Sequence, residues 1–269
     1  MRTIGFFGAG NMGLPFIKAA VKLLGAEETG FFEKSNERAE YVSNLTASKR
    51  YESEAELVKD CRYILFAVKP QVAPVVFEAI APHITADNRF ITIMAGISTD
   101  TIRAAIGTEA PIIRLMPNTP AMVSEGMTCR SLSGCDEDSA EAKFVETLVC
   151  SFGRMVTLPE KLMSAAVCAN GSSPAYVYMF IEALADSVVK YGIQRDTAYV
   201  LAAQTVLGAA KMVLETGEHP GKLKDNVCSP GGTTIAAVAA LEEAGFRNAV
   251  MKATDACYAK SQELGGNKK

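Results

Sequence analysis

The strongest constraint on how this chain can fold lies near its N-terminal end. Thr3-Ile4-Gly5-Phe6-Phe7 has the apolar, aromatic and β-branched makeup of a buried strand, and it runs without a spacer into Gly8-Ala9-Gly10-Asn11-Met12-Gly13. An amphipathic helix to about residue 24 follows. A Gly-x-Gly-x-x-Gly sequence is a weak signal in isolation. Between a strand and a helix it has a mechanical reason: the first glycine allows a tight turn, the second lets a pyrophosphate approach the backbone, and the third lets helix and strand pack closely. The phosphates then sit on the free N–H groups and positive dipole end of the helix. Gly8, Ala9, Gly10, Asn11, Met12 and Gly13 are therefore assigned to a dinucleotide, and the first half of the chain to a parallel α/β sheet.

Gly30-Phe31-Phe32-Glu33 reads as the second strand, with Glu33 where an acidic side chain accepts the ribose hydroxyls of NAD. Lys34, Ser35, Asn36 and Arg38 follow at once and have the charge and donors to hold a 2′-phosphate, so these residues leave NADH and NADPH both open. A helix over 53–61 leads to a strand over 63–68 that stops at Lys69-Pro70-Gln71. Ligands of open α/β sheets sit beyond the carboxyl ends of the strands, so this turn lies along the cofactor, with Lys69 either a ligand or a solvated loop lysine. The alternation continues through helix 72–80, strand 90–94 ending at Ala95-Gly96, helix 99–106 and strand 111–116. Pro117-Asn118-Thr119-Pro120 then offers Asn118 and Thr119 to a nicotinamide carboxamide or a substrate, or forms an ordinary Asx turn. A strand at 127–131, a helix over 136–152 and a strand at 155–158 complete a Rossmann-like, doubly wound parallel sheet over residues 1–160.

From Glu160 the strand pattern ends, and residues 161–269 read as an all-α domain. Ser172-Ser173-Pro174 starts a helix that runs to about 191 and is apolar on most sides. The next helix, from Asp196 to about 214, carries no charge between Asp196 and Lys211, a stretch too short to cross a bilayer and too apolar for a surface helix. Such helices need a second subunit to cover them, so an interwoven homodimer is expected. Two more helices, 233–244 and 247–264, finish the chain. The turn Ser229-Pro230-Gly231-Gly232-Thr233-Thr234 ahead of the first of them is built like an anion cup on a helix N-terminus, or equally like a loop whose threonine caps the helix.

Composition excludes other classes. A net charge of −3 offers no basic field for nucleic acid. The N-terminus lacks the three regions of a signal peptide, which points to the cytoplasm. The seven cysteines form no Cys-x-x-Cys pair, and His83 and His219 have no second ligand at metal spacing, so neither disulfides nor a metal site are expected. No Ser/His/Asp or Cys/His set can be assembled in the helical half, whereas hydride transfer from a nicotinamide requires none.

With both halves read, the chain resembles the pyrroline-5-carboxylate reductase family over essentially its whole length. The likeness rests on Gly8 to Gly13, Ala67-Val68-Lys69-Pro70, Arg114-Leu115-Met116-Pro117-Asn118-Thr119-Pro120-Ala121, Gly171-Ser172-Ser173-Pro174-Ala175-Tyr176, Glu218-His219-Pro220-Gly221, and Asp225 to Ile235. It implies reduction of the cyclic imine 1-pyrroline-5-carboxylate to L-proline, with NADPH, or NADH, as hydride donor. It further implies that Ala67, Val68, Lys69, Pro70, Met94, Ala95, Gly96 and Asn226 line the cofactor. Gly231, Gly232, Thr233 and Thr234 would hold the proline carboxylate or lie beside the ring, with Glu160, Ser172 and Ser173 close by and Thr234 as the catalytic hydroxyl. The family also implies dimers, often assembled further into rings such as a decamer; apart from the resemblance, the apolar stretches are too short to span a bilayer, so no membrane is expected. Asn170 departs from it, since relatives commonly carry a small residue there. A β-hydroxyacid dehydrogenase would need a lysine four residues after Gly171, where this chain has Ala175. A non-catalytic dinucleotide sensor would bind the cofactor without turnover.

Overall fold

The computed structural model describes residues 1–266, which fall into two compact units. The first comprises Met1–Ser172 together with the C-terminal stretch from Cys257; the second is Ser173–Ala256. The compact first unit thus extends past the expected boundary at 160/161, because residues 160–172 stay attached to the sheet.

In the first unit the chain runs β1 (Arg2–Phe7), α1 (Gly13–Leu24), β2 (Thr29–Phe32), α2 (Asn36–Thr46), β3 (Lys49–Arg50), α3 (Glu54–Asp60), β4 (Cys61–Phe66), α4 (Ala73–Ile80), β5 (Arg89–Thr92), α5 (Thr99–Ile106), β6 (Ile112–Met116), β7 (Gly126–Ser133), α6 (Ala140–Cys150) and β8 (Gly153–Thr157). Among the described residues the strands form one sheet in the order β3-β2-β1-β4-β5-β6-β7-β8. Side chains alternate across it. Ile4 and Phe6 of β1 enter a core shared with Phe16 and Ile17 of α1 and Val145 and Leu148 of α6. Phe7 enters the opposite core, where Phe66 stacks between Phe7 and Phe90 at 5.7 and 6.0 Å and takes the edge of Phe77 from α4.

Two departures from the sequence-based expectation concern this sheet. α2 and β3 were not foreseen: α2 starts from a Ser35 cap on Arg38 N but has only Ala39, Val42 and Thr46 buried, so its apolar period is faint. The sheet is also not wholly parallel, since β7 pairs antiparallel with β6 and β8 parallel with β7. The physical reason is the link over 117–125, which is shorter than the dozen or so residues a parallel crossover needs.

After β8 a 3-10 turn over Glu160–Leu162, the short α7 (Met163–Ala166) and a π-turn over Val167–Gly171 form a connector. The helices α8 (Ser173–Val189), α9 (Arg195–Thr216), α10 (Pro220–Asn226) and α11 (Thr233–Glu243) follow, and α12 (Phe246–Leu264) starts in the second unit and ends in the first. α10, unforeseen in the sequence, is opened by Pro220 behind the His219 cap.

In the second unit α8 packs on α9 through the small residues Ala185, Ala198 and Ala202, which form its only buried cluster among the described residues. Val200, Leu207 and Leu214, spaced by seven along α9, remain 68%, 52% and 59% exposed. The helix also runs to Thr216, past the stretch judged too short to span a bilayer, and by length and composition it is long enough. Its open stripe is therefore the feature to test. Charged substitution at two of these positions, V200D with L207D, is expected to convert a dimer to monomers with a partly unfolded helical unit. Sedimentation velocity and circular dichroism check this; a dimer with an unchanged melting temperature would place the stripe outside the interface.

Candidate active site

β1 and β4 are adjacent parallel strands whose connections leave in opposite directions, the topological switch point where open α/β sheets bind ligands. The glycine turn lies there. A Cβ on Gly8, whose φ is +91°, would meet Ala67 O at 2.8 Å, and one on Gly13 would meet Gly8 O at 2.3 Å, so both are excluded by backbone. A Cβ on Gly10 would meet nothing within 4 Å. The first and third glycines thus serve the turn and the helix contact, and the middle one leaves open space, which is the arrangement a pyrophosphate needs. Asn11 and Met12 complete the turn, and Met12 precedes α1 without a side-chain cap; Leu14 N–H is taken by Gly10 O at 3.0 Å and Pro15 has no N–H, which leaves the N–H of Gly13 at the helix start for a ligand.

Glu33 is placed differently from the sequence expectation. Its carboxylate accepts from Ala9 N and Ser35 N, each at 3.0 Å, and so holds the glycine turn to the end of β2. Arg38 Nε donates to Ala9 O at 2.8 Å, and the guanidinium lies 5.2 Å from the Tyr41 ring centre. One residue of the turn, Ala9, is thereby bound at both its N–H and its C=O by side chains of opposite charge. Ser35 caps α2, and Lys34 is exposed. Arg38, with Lys34 and Ser35, is the cationic group beside this turn suited to a 2′-phosphate.

Ala67, Val68, Lys69 and Pro70 follow β4 at the same edge, with Lys69 exposed. Of the next turn only Ala95 and Gly96 are accessible: Met94 is 2% exposed and its side chain belongs to the core under the sheet, a correction to its assignment as a cofactor contact. Asn118 Oδ1 accepts from Met127 N at 2.9 Å, so this asparagine ties its own loop to β7.

Glu160 is the clearest revision. Its carboxylate accepts from Thr99 N at 2.9 Å, Thr99 Oγ1 at 2.5 Å and Arg114 Nη1 at 2.8 Å. It anchors the start of the connector to the N-terminus of α5 and to β6, and has no reason to face an anionic substrate. Burial pushes this carboxyl upward, but the bonds from Thr99 and Arg114 outweigh it and hold it below the usual glutamate value. Arg114 and Thr99 had no role assigned from sequence. The signal was present in β6: a charged residue inside Ile112-Ile113-Arg114-Leu115-Met116 requires a buried partner.

Ser172 Oγ accepts from Cys257 Sγ at 3.3 Å within the first unit, and Ser173 opens α8 of the second. In the second unit Gly231 has φ +69°, Gly232 is extended at the cap position of α11, and no side chain caps the helix. Gly232 N–H is committed to Ser229 O at 3.0 Å, so the groups left free before the first helical bond, Ala236 N to Gly232 O, belong to Thr233, Thr234 and Ile235. Thr233 and Thr234 are the first two helical residues and exposed; neither acts as the cap, which removes the capping alternative. Asn226 ends α10 and is exposed. Among the described residues no group of three or more His, Cys, Asp or Glu could hold a metal ion.

Comparison with known proteins divides the chain nearer to the boundary expected from sequence. Residues 3–96 match the family described as NADP oxidoreductase coenzyme F420-dependent, and residues 160–264 the family described as pyrroline-5-carboxylate reductase dimerisation. The chain is 42% identical to a pyrroline-5-carboxylate reductase of Escherichia coli K12, covering 98% of each. It is 38% identical to one of Pisum sativum, over 97% of this chain and 96% of that one. Among solved structures, a Plasmodium falciparum pyrroline carboxylate reductase with NADP bound superimposes with a TM-score of 0.85 at 31% identity, covering 98% of both.

Two substitutions separate bracing from binding. Glu160→Gln removes the counter-charge of Arg114 and is expected to lower stability by about 2 kcal/mol while leaving the KM of the substrate unchanged. Because the native Glu160 carboxyl titrates below its unfolded value, its contribution is present above that unfolded value, about 4.3, and lost as pH falls through the lower native one. Acid melting curves of both forms should therefore converge at low pH. Arg38→Met is expected to weaken NADPH about tenfold and NADH less than about threefold, read by titration of nicotinamide fluorescence. Equal losses for both cofactors would remove Arg38 from the 2′-phosphate.

Proposed function

The chain belongs to the pyrroline-5-carboxylate reductase family, an NAD(P)H-dependent oxidoreductase that takes 1-pyrroline-5-carboxylate to L-proline in proline biosynthesis, and we propose how its own residues carry this reaction. The observation that carries the assignment is the uncapped N-terminus of α11, with three free N–H groups behind a left-handed glycine and two exposed hydroxyls. A carboxylate on the substrate ring has the charge and size for that terminus, where the helix dipole adds to the hydrogen bonds.

When bound, the reduced nicotinamide supplies the hydride. The glycine turn, with Glu33 and Arg38 holding Ala9, grips its phosphates, and the turns after β4, β5 and β6 carry Ala67–Pro70, Ala95-Gly96 and Asn118 along it. The N–H groups of Thr233, Thr234 and Ile235 fix the substrate carboxylate. Gly231 and Gly232 allow the chain to approach it, and Ser172 and Ser173 lie beside the ring. As the imine carbon takes up the hydride its nitrogen becomes basic, and the Thr234 hydroxyl, directly or through a bound water, delivers or stabilises the proton there.

Assembly follows from the same reading. The dimer covers the open stripe of α9, which lies inside the residues matching the dimerisation family, so that stripe faces a second subunit and not lipid. Rings of dimers and a cytoplasmic location belong to the same proposal, as does the exclusion of nucleic acid, for which the net charge of −3 offers no field.

Loss of absorbance at the reduced-nicotinamide band with the cyclic imine tests the activity, and a sensor without turnover would fail it. Thr234→Ala is expected to lower kcat by roughly ten- to a hundredfold, the scale of one catalytic hydrogen bond, with a smaller change in KM because the backbone groups remain. Since Thr234 does not cap α11, the melting temperature should stay within about a degree or two of wild type. An unchanged kcat would take Thr234 out of the proton step.

A further inference from the structure

Asn170 is 6% exposed and sits in the π-turn Val167–Gly171. Its Nδ2 donates to Met116 O at 2.8 Å and to Met127 O at 3.2 Å. Both neighbours are carbonyl oxygens, which only accept, so the amide nitrogen and not the oxygen must face them. Met116 is the last residue of β6 and Met127 the second of β7, and between them lies the loop that carries Asn118. Met127 is thus held twice by asparagine side chains, its N–H by Asn118 Oδ1 and its C=O by Asn170 Nδ2. These bonds replace ladder hydrogen bonds where the two strands part.

The other end of the same residue is the connector. Gly171 and Ser172 follow directly, and Ser172 N is bonded to Val167 O across the π-turn at 2.9 Å. Asn170 therefore ties the loop bearing Asn118 to the segment bearing Ser172. A packing role does not explain it. Asn170 Oδ1 is buried with no hydrogen-bond partner, a penalty that an aliphatic side chain of similar size would avoid. The amide is thus engaged at its nitrogen end alone, and π-turns are frequent at functional sites.

We propose that Asn170 is a positioning residue for the reductase reaction, which clasps Met116 O and Met127 O and so sets the cofactor-side Asn118 and the substrate-side Ser172 in one fixed relation. This rests on the reaction assigned above, with Asn118 along the cofactor and Ser172 beside the ring. Binding of the cofactor depends chiefly on the glycine turn, which Asn170 does not touch, so the clasp acts on alignment rather than on affinity.

The test compares wild type with Asn170→Asp, which keeps the shape but places oxygen against two carbonyls, and with Asn170→Ser, which keeps one small donor. In the full-length dimer, well below the melting temperature, Asn170→Asp is expected to lower kcat about tenfold or more and Asn170→Ser about threefold, with NADPH Kd within about twofold of wild type. The primary isotope effect on kcat with reduced cofactor deuterated at the transferred position should rise in the same order, because poorer alignment makes hydride transfer the slow step. Wild-type kcat and isotope effect in a variant that merely melts lower would overturn the proposal, and if Asn170→Asp does not fold, Asn170→Ser decides by the same two readouts. Absence of imine reduction by the wild-type enzyme would instead reject the reaction assigned above.

Discussion

The first unit depends on one close approach, the meeting of the β1–α1 turn with the end of β4. A Cβ on Gly13 would lie 2.3 Å from Gly8 O, and one on Gly8 would lie 2.8 Å from Ala67 O, so α1 can start directly over the sheet only if neither residue has a side chain. From that contact follow the rest of the ligand edge and both cores. Ile4 and Phe6 take one side of β1, Phe7 the other, and the aromatic row Phe7, Phe66 and Phe90 continues across three adjacent strands. Glu33 and Arg38 then bind the two polar groups of Ala9, so the turn is held from both sides before any phosphate arrives. Pre-ordering of this kind lowers what a ligand must organise on binding.

A second set of polar contacts governs where the sheet hands over to the helices. Residues 160–172 contain no strand and little regular helix, yet they remain part of the first unit because Glu160 holds them at one end and Asn170 at the other. Glu160 satisfies Arg114, a cation inside an otherwise apolar strand, and gives α5 a carboxylate at its positive end. Asn170 closes the gap at which β6 and β7 separate. Both contacts are between residues far apart in the chain, and both bear on where Ser172 lies.

The helical unit is organised by the opposite means. It has a small alanine-lined contact between α8 and α9 and much apolar surface on their remaining faces, which is how a domain looks when part of its core belongs to another copy. Within it the α11 terminus is polar, exposed and uncapped. A helix start without a capping side chain is less stable than one with Ser or Asp at that position, and at a site for an anion this openness is what leaves the N–H groups available.

The sequence alone determined the elements whose signals are local. A glycine spacing between a strand and a helix, the alternation of apolar strands with amphipathic helices, and a glycine pair before a helical run are all readable over a dozen residues, because backbone sterics and side-chain period act at that range. Only the tertiary structure decided which polar groups were already engaged. Glu33 faces the turn backbone, Met94 faces the core, Glu160 is bonded to Thr99 and Arg114, and Thr234 lies inside its helix instead of capping it. Partners such as Arg114 and Glu160, or Asn170 and Met116, are separated by tens of residues, and no local pattern states which distant group a buried charge or amide will find. That choice is made when the sheet closes and every buried donor and acceptor must be paired.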